Sequence, residues 1–108
     1  TLRAVANVTL ANAIQISQGA FGVNQFTVDT NGFNMTLSGV ISTAVPATEA
    51  IQPGLTKNGL GDLTLSGENT YRGQTIINAG RLIVNGSIAN TSRVTIADGA
   101  VLAGNAAI

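Results

Sequence analysis

The chain has 108 residues, 44% hydrophobic and only 9% charged, with five basic and five acidic side chains and a net charge of zero. That length fits one domain or part of one, and the apolar share supports a buried core and excludes ordinary disorder. The sparse, balanced charge excludes a nucleic-acid partner and an anionic membrane surface held by attraction, and the absence of Cys and His excludes disulfide staples and thiol or imidazole metal sites.

Thirteen Gly, two Pro and three Phe leave an interior of Ala, Val, Ile and Leu, with Thr and Asn for surfaces and corners. The chain opens TLRAVANVTLANAIQIS without a basic segment followed by an apolar run, so no signal peptide is expected there. No window holds about 18 apolar residues, the length of a membrane-spanning helix, so membrane insertion by this segment is not expected. The abrupt start and the apolar ending Ala106-Ala107-Ile108 point to a fragment, or to ends that are meant to be covered. The lack of Cys suits passage through an oxidising space, where stray thiols could misfold a chain, and also arises by chance.

The first predicted strand is Asn7-Val8-Thr9-Leu10-Ala11, with Ala13-Ile14-Gln15-Ile16 and Phe26-Thr27-Val28 as further walls. Asn34-Met35-Thr36-Leu37-Ser38 repeats the first string after the corner Asn31-Gly32. Thr43–Pro53 (TAVPATEAIQP) holds both prolines and predicts a projecting loop, 43–53, a candidate interaction loop. Gly54–Gly86 then alternates short β-type runs (Leu63-Thr64-Leu65, Thr75-Ile76-Ile77, Arg81-Leu82-Ile83-Val84) with glycine corners, among them Asn58-Gly59 and Asn85-Gly86. Asn and Gly adopt left-handed backbone angles at low cost, which a sharp corner needs.

The string in Asp62-Leu63-Thr64-Leu65-Ser66 recurs in Arg93-Val94-Thr95-Ile96-Ala97, so Thr9, Thr36, Thr64 and Thr95 stand at steps of 27, 28 and 31. Periods of this size belong to solenoids, and the local two-residue alternation makes the units strands. Nothing shows helical spacing over a helical length. The pattern predicts an all-β, right-handed parallel β-helix, a solenoid of roughly four coils paired at about 4.8 Å. Residues 1–108 read as a single β-helical domain or fragment. Val8, Met35, Leu63 and Val94 would form one inward file, and Leu10, Leu37, Leu65 and Ile96 a second. The four Thr would face outward.

Within Gly54–Gly86, a long ordered match carries a resemblance: Gly54-Leu55-Thr56-Lys57-Asn58-Gly59, Gly61-Asp62-Leu63-Thr64-Leu65-Ser66-Gly67, Asn69-Thr70-Tyr71, Gly73, Thr75-Ile76-Ile77-Asn78-Ala79-Gly80 and Leu82. It resembles the autotransporter-associated β-strand repeat of bacterial type V secretion passengers, with Leu37–Ser42 matching its lead-in. The insert Thr43–Pro53 departs from the family, which has a short Gly-rich link at that place. The resemblance implies a parallel β-helix inside a surface-exposed, extracellular passenger of a Gram-negative cell, translocated with help from a membrane barrel. It also implies a role in stalk formation and secretion, and passengers of this kind are often adhesins.

Chemical candidates are few. Asp62 and Glu68 flank one strand and turn and could serve as a glycosidic acid–base pair, although each also suits a solvated corner. No nucleophile, base and orienting group can be assembled, so no catalytic residue is assigned, and no cofactor or metal residue either. Tyr71 and Arg72 could meet a glycan, but the resemblance places an aromatic there for packing. Asp98-Gly99 reads as a turn. Gly59-Leu60-Gly61-Asp62 is one copy of a calcium-nonapeptide-like string, which cannot supply two adjacent half-sites. Asn7, Asn34, Asn85 and Asn90 open chance matches to the glycosylation pattern. A single outward Thr file is thin for ice binding.

The expectation is therefore a non-enzymatic β-helical stalk segment whose partners are neighbouring coils or other copies stacked end to end. An adhesive or carbohydrate-binding module, meeting a host surface or glycan through the 43–53 loop and the Thr face, is the alternative. A polysaccharide-degrading β-helix is a third.

Overall fold

A computed structural model describes residues 2–16, 26–43, 53–89, 91 and 93–104. The predicted loop is therefore described only at its ends: Thr43 closes a strand, Pro53 is buried, and 44–52 lie outside the described residues, as do 106–108. The described residues contain strands and turns and no helix.

The fold is a parallel β-helix. The first sheet stacks β1 (Leu2–Arg3), β4 (Phe26–Asp29), β7 (Leu55–Asn58), β9 (Thr75–Ile77) and β11 (Val94–Ile96) in that order. The second stacks β2 (Val8–Leu10), β5 (Met35–Leu37), β8 (Asp62–Leu65), β10 (Arg81–Val84) and β12 (Val101–Ala103). A third, two-stranded sheet pairs β3 (Ile14–Ile16) with β6 (Ile41–Thr43). Every pairing is parallel, and each chain turn passes from the first sheet to the second across one corner. These segments become strands because their alternation sends one set of side chains into a narrow core and the other to the outside.

Inward files run along the stack. Met35, Leu63 and Leu82 form one, and Leu37, Leu65 and Val84 another, all buried. Across from them stand Leu55 and Thr75, and then Val28, Lys57 and Ile77. A fully buried aliphatic side chain is worth about 1.5–3 kcal/mol relative to exposure, so these files supply much of the driving force.

The coil length changes midway, and this corrects the predicted stacking. In the second sheet Val8, Met35 and Leu63 pair at steps of 27 and 28, but Leu63, Leu82 and Leu102 follow at 19 and 20. In the first sheet the steps fall from 29, between Phe26 and Leu55, to 20 and 19, through Thr75 to Val94. Five coils, rather than roughly four, therefore fit the two main sheets. The string Val94-Thr95-Ile96 does not stack on Leu63-Thr64-Leu65; it pairs with Thr75-Ile76-Ile77 in the first sheet. The place predicted for Val94-Thr95-Ile96 on that strand is taken by Leu82-Ile83-Val84, a run expected on another wall. The outward file of the second sheet thus reads Thr9, Thr36, Thr64, Ile83, Ala103, and Thr95 lies on the other wall.

The third wall changes where the coils shorten. Among the described residues no strand continues the sheet beyond β6; the Asn69 side chain does so, its Oδ1 accepting the Ile41 N–H at 2.8 Å. The Ile41 carbonyl accepts from the N–H groups of Thr70 and Tyr71, while the Asn69 N–H passes to the Ser87 carbonyl in the next coil. One side chain stands where the first two coils have a strand.

The predicted corner series also divides. Asn31-Gly32 and Asn58-Gly59 share the corner between the two main sheets, where Asn31 and both glycines have positive φ, of 52, 84 and 80°. Asn85-Gly86 belongs to the following corner, where Gly86 stacks on Gly67 so closely that a Cβ would fall 1.9 Å from the Gly67 carbonyl oxygen.

Candidate functional site

Asp62 opens β8 on the outer edge of the second sheet. Its N–H donates to Asn34 Oδ1 at 3.1 Å, and the Asn34 N–H donates in turn to Asn7 Oδ1 at 2.8 Å. Its carboxylate accepts two hydrogen bonds from Arg81. Arg81 holds the Asp62 carboxyl below its ordinary value, first by hydrogen bonding and then by charge. A general acid needs the opposite shift. Glu68 lies past the Ser66-Gly67 corner, exposed, where its backbone bridges to Ser87. The two carboxylates predicted as a pair thus sit at opposite ends of a strand, one already neutralised by Arg81.

Tyr71 points inward and is fully buried. Its hydroxyl lies 2.7 Å from Thr75 Oγ1, which lies 2.9 Å from Thr91 Oγ1, which reaches the Gly73 carbonyl at 2.6 Å. A carbonyl only accepts, so Thr91 donates to it, Thr75 donates to Thr91, and Tyr71 donates to Thr75. Burial pushes the phenol up to about 12, against the smaller effect of the bond to Thr75. Arg72 is half-buried and reaches Thr43 Oγ1 at 3.4 Å. Tyr71 is therefore a packing residue with a satisfied hydroxyl.

The least expected group is Lys57, buried inside the stack with no exposed surface. Its Nζ contacts Thr30 Oγ1 at 2.7 Å and the carbonyls of Asn58, Gly59 and Ala79 at 3.0, 2.6 and 3.2 Å. Desolvation pushes the ammonium below the ordinary lysine value, while the charges of Asp29 and Asp62 act in the other direction. The sequence carried a signal for it: Lys57 stands two residues after the inward Leu55, so strand alternation sends it into the core.

Asp98 and Gly99 form a turn, with Gly99 at φ 82°. Gly59-Leu60-Gly61-Asp62 is corner backbone, and among the described residues no group of three or more Asp, Glu, His or Cys stands together. Asn7, Asn34 and Asn85 are exposed, the first two engaged in the ladder to Asp62; Asn90 lies outside the described residues. No helix among the described residues is long and apolar enough to cross a membrane. At the first coil an open apolar groove of about 280 Å³ is lined by Leu2, Val5, Val8, Leu10 and Met35, among others.

Comparison with known proteins finds matches to part of this stack. The family model of the passenger-associated-transport-repeat matches residues 55–84. The chain is also similar to an extracellular serine protease of Serratia marcescens, at 46% identity over 55 residues. That match covers 51% of the chain and 5% of the relative, so the chain spans about a twentieth of that protein's length. No solved structure matches. Residues 55–84, which run from β7 of the third coil to the end of β10 in the fourth, are a passenger-associated-transport-repeat, the repeat of autotransporter passengers.

Proposed function

We propose that the chain is a structural stalk segment of a secreted bacterial surface protein, located outside the cell and supporting secretion and display. The observation that carries this reading is continuity: both main sheets run through the repeat without a break, from β4 to β7 to β9 and from β5 to β8 to β10. The residues with chemical potential are engaged by partners within the chain. Asp62 is tied to Arg81, Tyr71 to Thr75, and Lys57 to the corner oxygens. No catalytic role is assigned to this segment.

The stalk extends by adding coils. At one end β1 and β2 each have a single neighbour, and at the other β11 and β12 do. Unpaired strand edges invite further pairing, so the partners are neighbouring coils or another copy stacked end to end, with the groove at Leu2 and Val8 covered in the process.

The test uses the complete secreted protein that carries this segment, with Leu63→Asp or with residues 44–52 deleted. A charge in the middle of an inward file breaks the stack. The Leu63→Asp protein should be made in normal amounts and reach the cell surface in much lower amounts. Removing 44–52 should leave binding to host cells and glycans unchanged. Normal surface delivery of a chain shown to be unfolded at 55–84 would defeat the stalk reading. Loss of glycan binding on deleting 44–52 would favour the adhesive module instead.

A further inference from the structure

The corner between the first two sheets does something beyond turning the chain. Four oxygens converge there from three successive coils: Thr30 Oγ1 from the second, the Asn58 and Gly59 carbonyls from the third, and the Ala79 carbonyl from the fourth. Each of the four can only accept at this point. The carbonyls have no proton to give, and the Thr30 hydroxyl spends its single proton on the Leu60 carbonyl at 2.6 Å. A set of acceptors turned toward one buried point calls for a donor there; an apolar occupant would take the ammonium from all four, leaving the Asn58 carbonyl only the Thr30 N–H at 3.1 Å.

Lys57 meets that requirement in an unusual way for a lysine. Its side chain enters from the inward face of β7, between Val28 and Ile77 of the adjacent coils, so its methylenes extend an otherwise aliphatic file. Only the ammonium reaches the polar cluster, with three protons for four acceptors. Gly80 closes the cage from the fourth coil at φ 66°; a Cβ there would lie 2.9 Å from Nζ and 2.7 Å from the Gly59 oxygen. The carboxylates of Asp29 and Asp62 supply compensating negative charge at longer range.

We propose that this corner is a built binding site for a primary ammonium group, that Lys57 is its tethered occupant, and that occupancy locks the second, third and fourth coils into one cooperative unit. The inference does not rest on the stalk reading, because it concerns the cohesion of the coils whatever the stack is used for. It assigns a cross-coil role to a residue that the hydrophobic pattern alone would treat as a misplaced charge.

The absence of any other cysteine makes a direct test possible. The full chain with Lys57→Cys is alkylated in denaturant, then refolded. Bromoethylamine adds an ammonium at the same number of bonds from the backbone as in lysine, the thiolate displacing bromide. Bromopropane adds a neutral chain of equal length. Both adducts fill the same space, so they differ only in what is offered to the oxygens. The aminoethyl adduct should unfold within about 2 °C of the unmodified wild type. The propyl adduct should unfold at least about 5 °C lower, the shift expected for a loss of order 1 kcal/mol in a domain of this size. Its amide exchange should accelerate together at Thr30 and Asn78, whose N–H groups bond across to the third coil. Equal melting of the two adducts would overturn the proposal, since filling the space would then suffice. Failure of the aminoethyl adduct to recover stability would overturn it equally. Faster exchange confined to the third coil would refute the cooperative part.

Discussion

Arg81 grips Asp62 with two hydrogen bonds, from Nε to Oδ1 at 3.2 Å and from Nη2 to Oδ2 at 2.7 Å, joining the fourth coil to the third on the outer edge of the second sheet. The pair is half-exposed and makes a side-chain rung beside the backbone ladder. Because Asp62 titrates below its ordinary value in the folded chain, its contribution is present above the unfolded carboxyl value of 3.8 and is lost as pH falls through the lower folded one. Asp62→Asn should therefore melt slightly below the wild type at neutral pH and coincide with it in strong acid. Thermal melts across that pH range check this, and the gap should narrow in high salt.

Tyr71 is the single tyrosine of a chain without tryptophan, so its ionisation can be followed by near-ultraviolet absorbance without interference. The folded phenol titrates at about 12, above the unfolded value of 10.0. Its contribution to stability is complete below the unfolded value and disappears as pH rises through the folded one. Tyrosinate should appear with a midpoint near 12, or together with unfolding. A midpoint at the ordinary value in a folded chain would contradict the burial. Tyr71→Phe keeps the ring and removes one buried bond, for a cost of about 1 kcal/mol.

Asn69 continues the third wall in the coil where the step shortens. Asn69→Ala leaves the buried Ile41 N–H without its acceptor and should cost about 1–3 kcal/mol in denaturant unfolding. Amide exchange should rise first at Ile41, while the two main sheets stay protected near Leu63 and Leu82.

Gly86 sits over Gly67 with backbone against backbone. Gly86→Ala should force the corner apart and destabilise the chain by more than the roughly 1 kcal/mol that ordinary glycine replacements cost. Gly99→Ala meets nothing within 4 Å and should cost only the strain of its positive φ. Comparing the two melting temperatures separates contact from conformation.

Local and long-range determinants separate residue by residue. Alternation fixed the strand character and inward faces of Met35-Thr36-Leu37, Leu63-Thr64-Leu65 and Leu82-Ile83-Val84, because the two-residue period is a property of the local backbone. Lys57 obeyed that rule as well, and only its charge disguised it. Thr95 was legible as a strand residue but not as a member of a particular wall, since its string matches that of Thr64 equally well in either place.

The chain's composition, its two-residue alternation and its glycine corners determine by themselves a parallel coil with a narrow aliphatic core, and the 54–86 stretch carries the likeness to the repeat that matches 55–84. Which strand lies on which was decided only by the folded stack. Asn69 substitutes a side chain for a strand at Ile41, and the coil step falls from 28, between Met35 and Leu63, to 19, between Leu63 and Leu82. A hydrogen bond between residues 28 positions apart leaves no local trace in sequence. The Lys57 cage has the same character, since its oxygens come from three coils and exist as a site only once those coils are stacked.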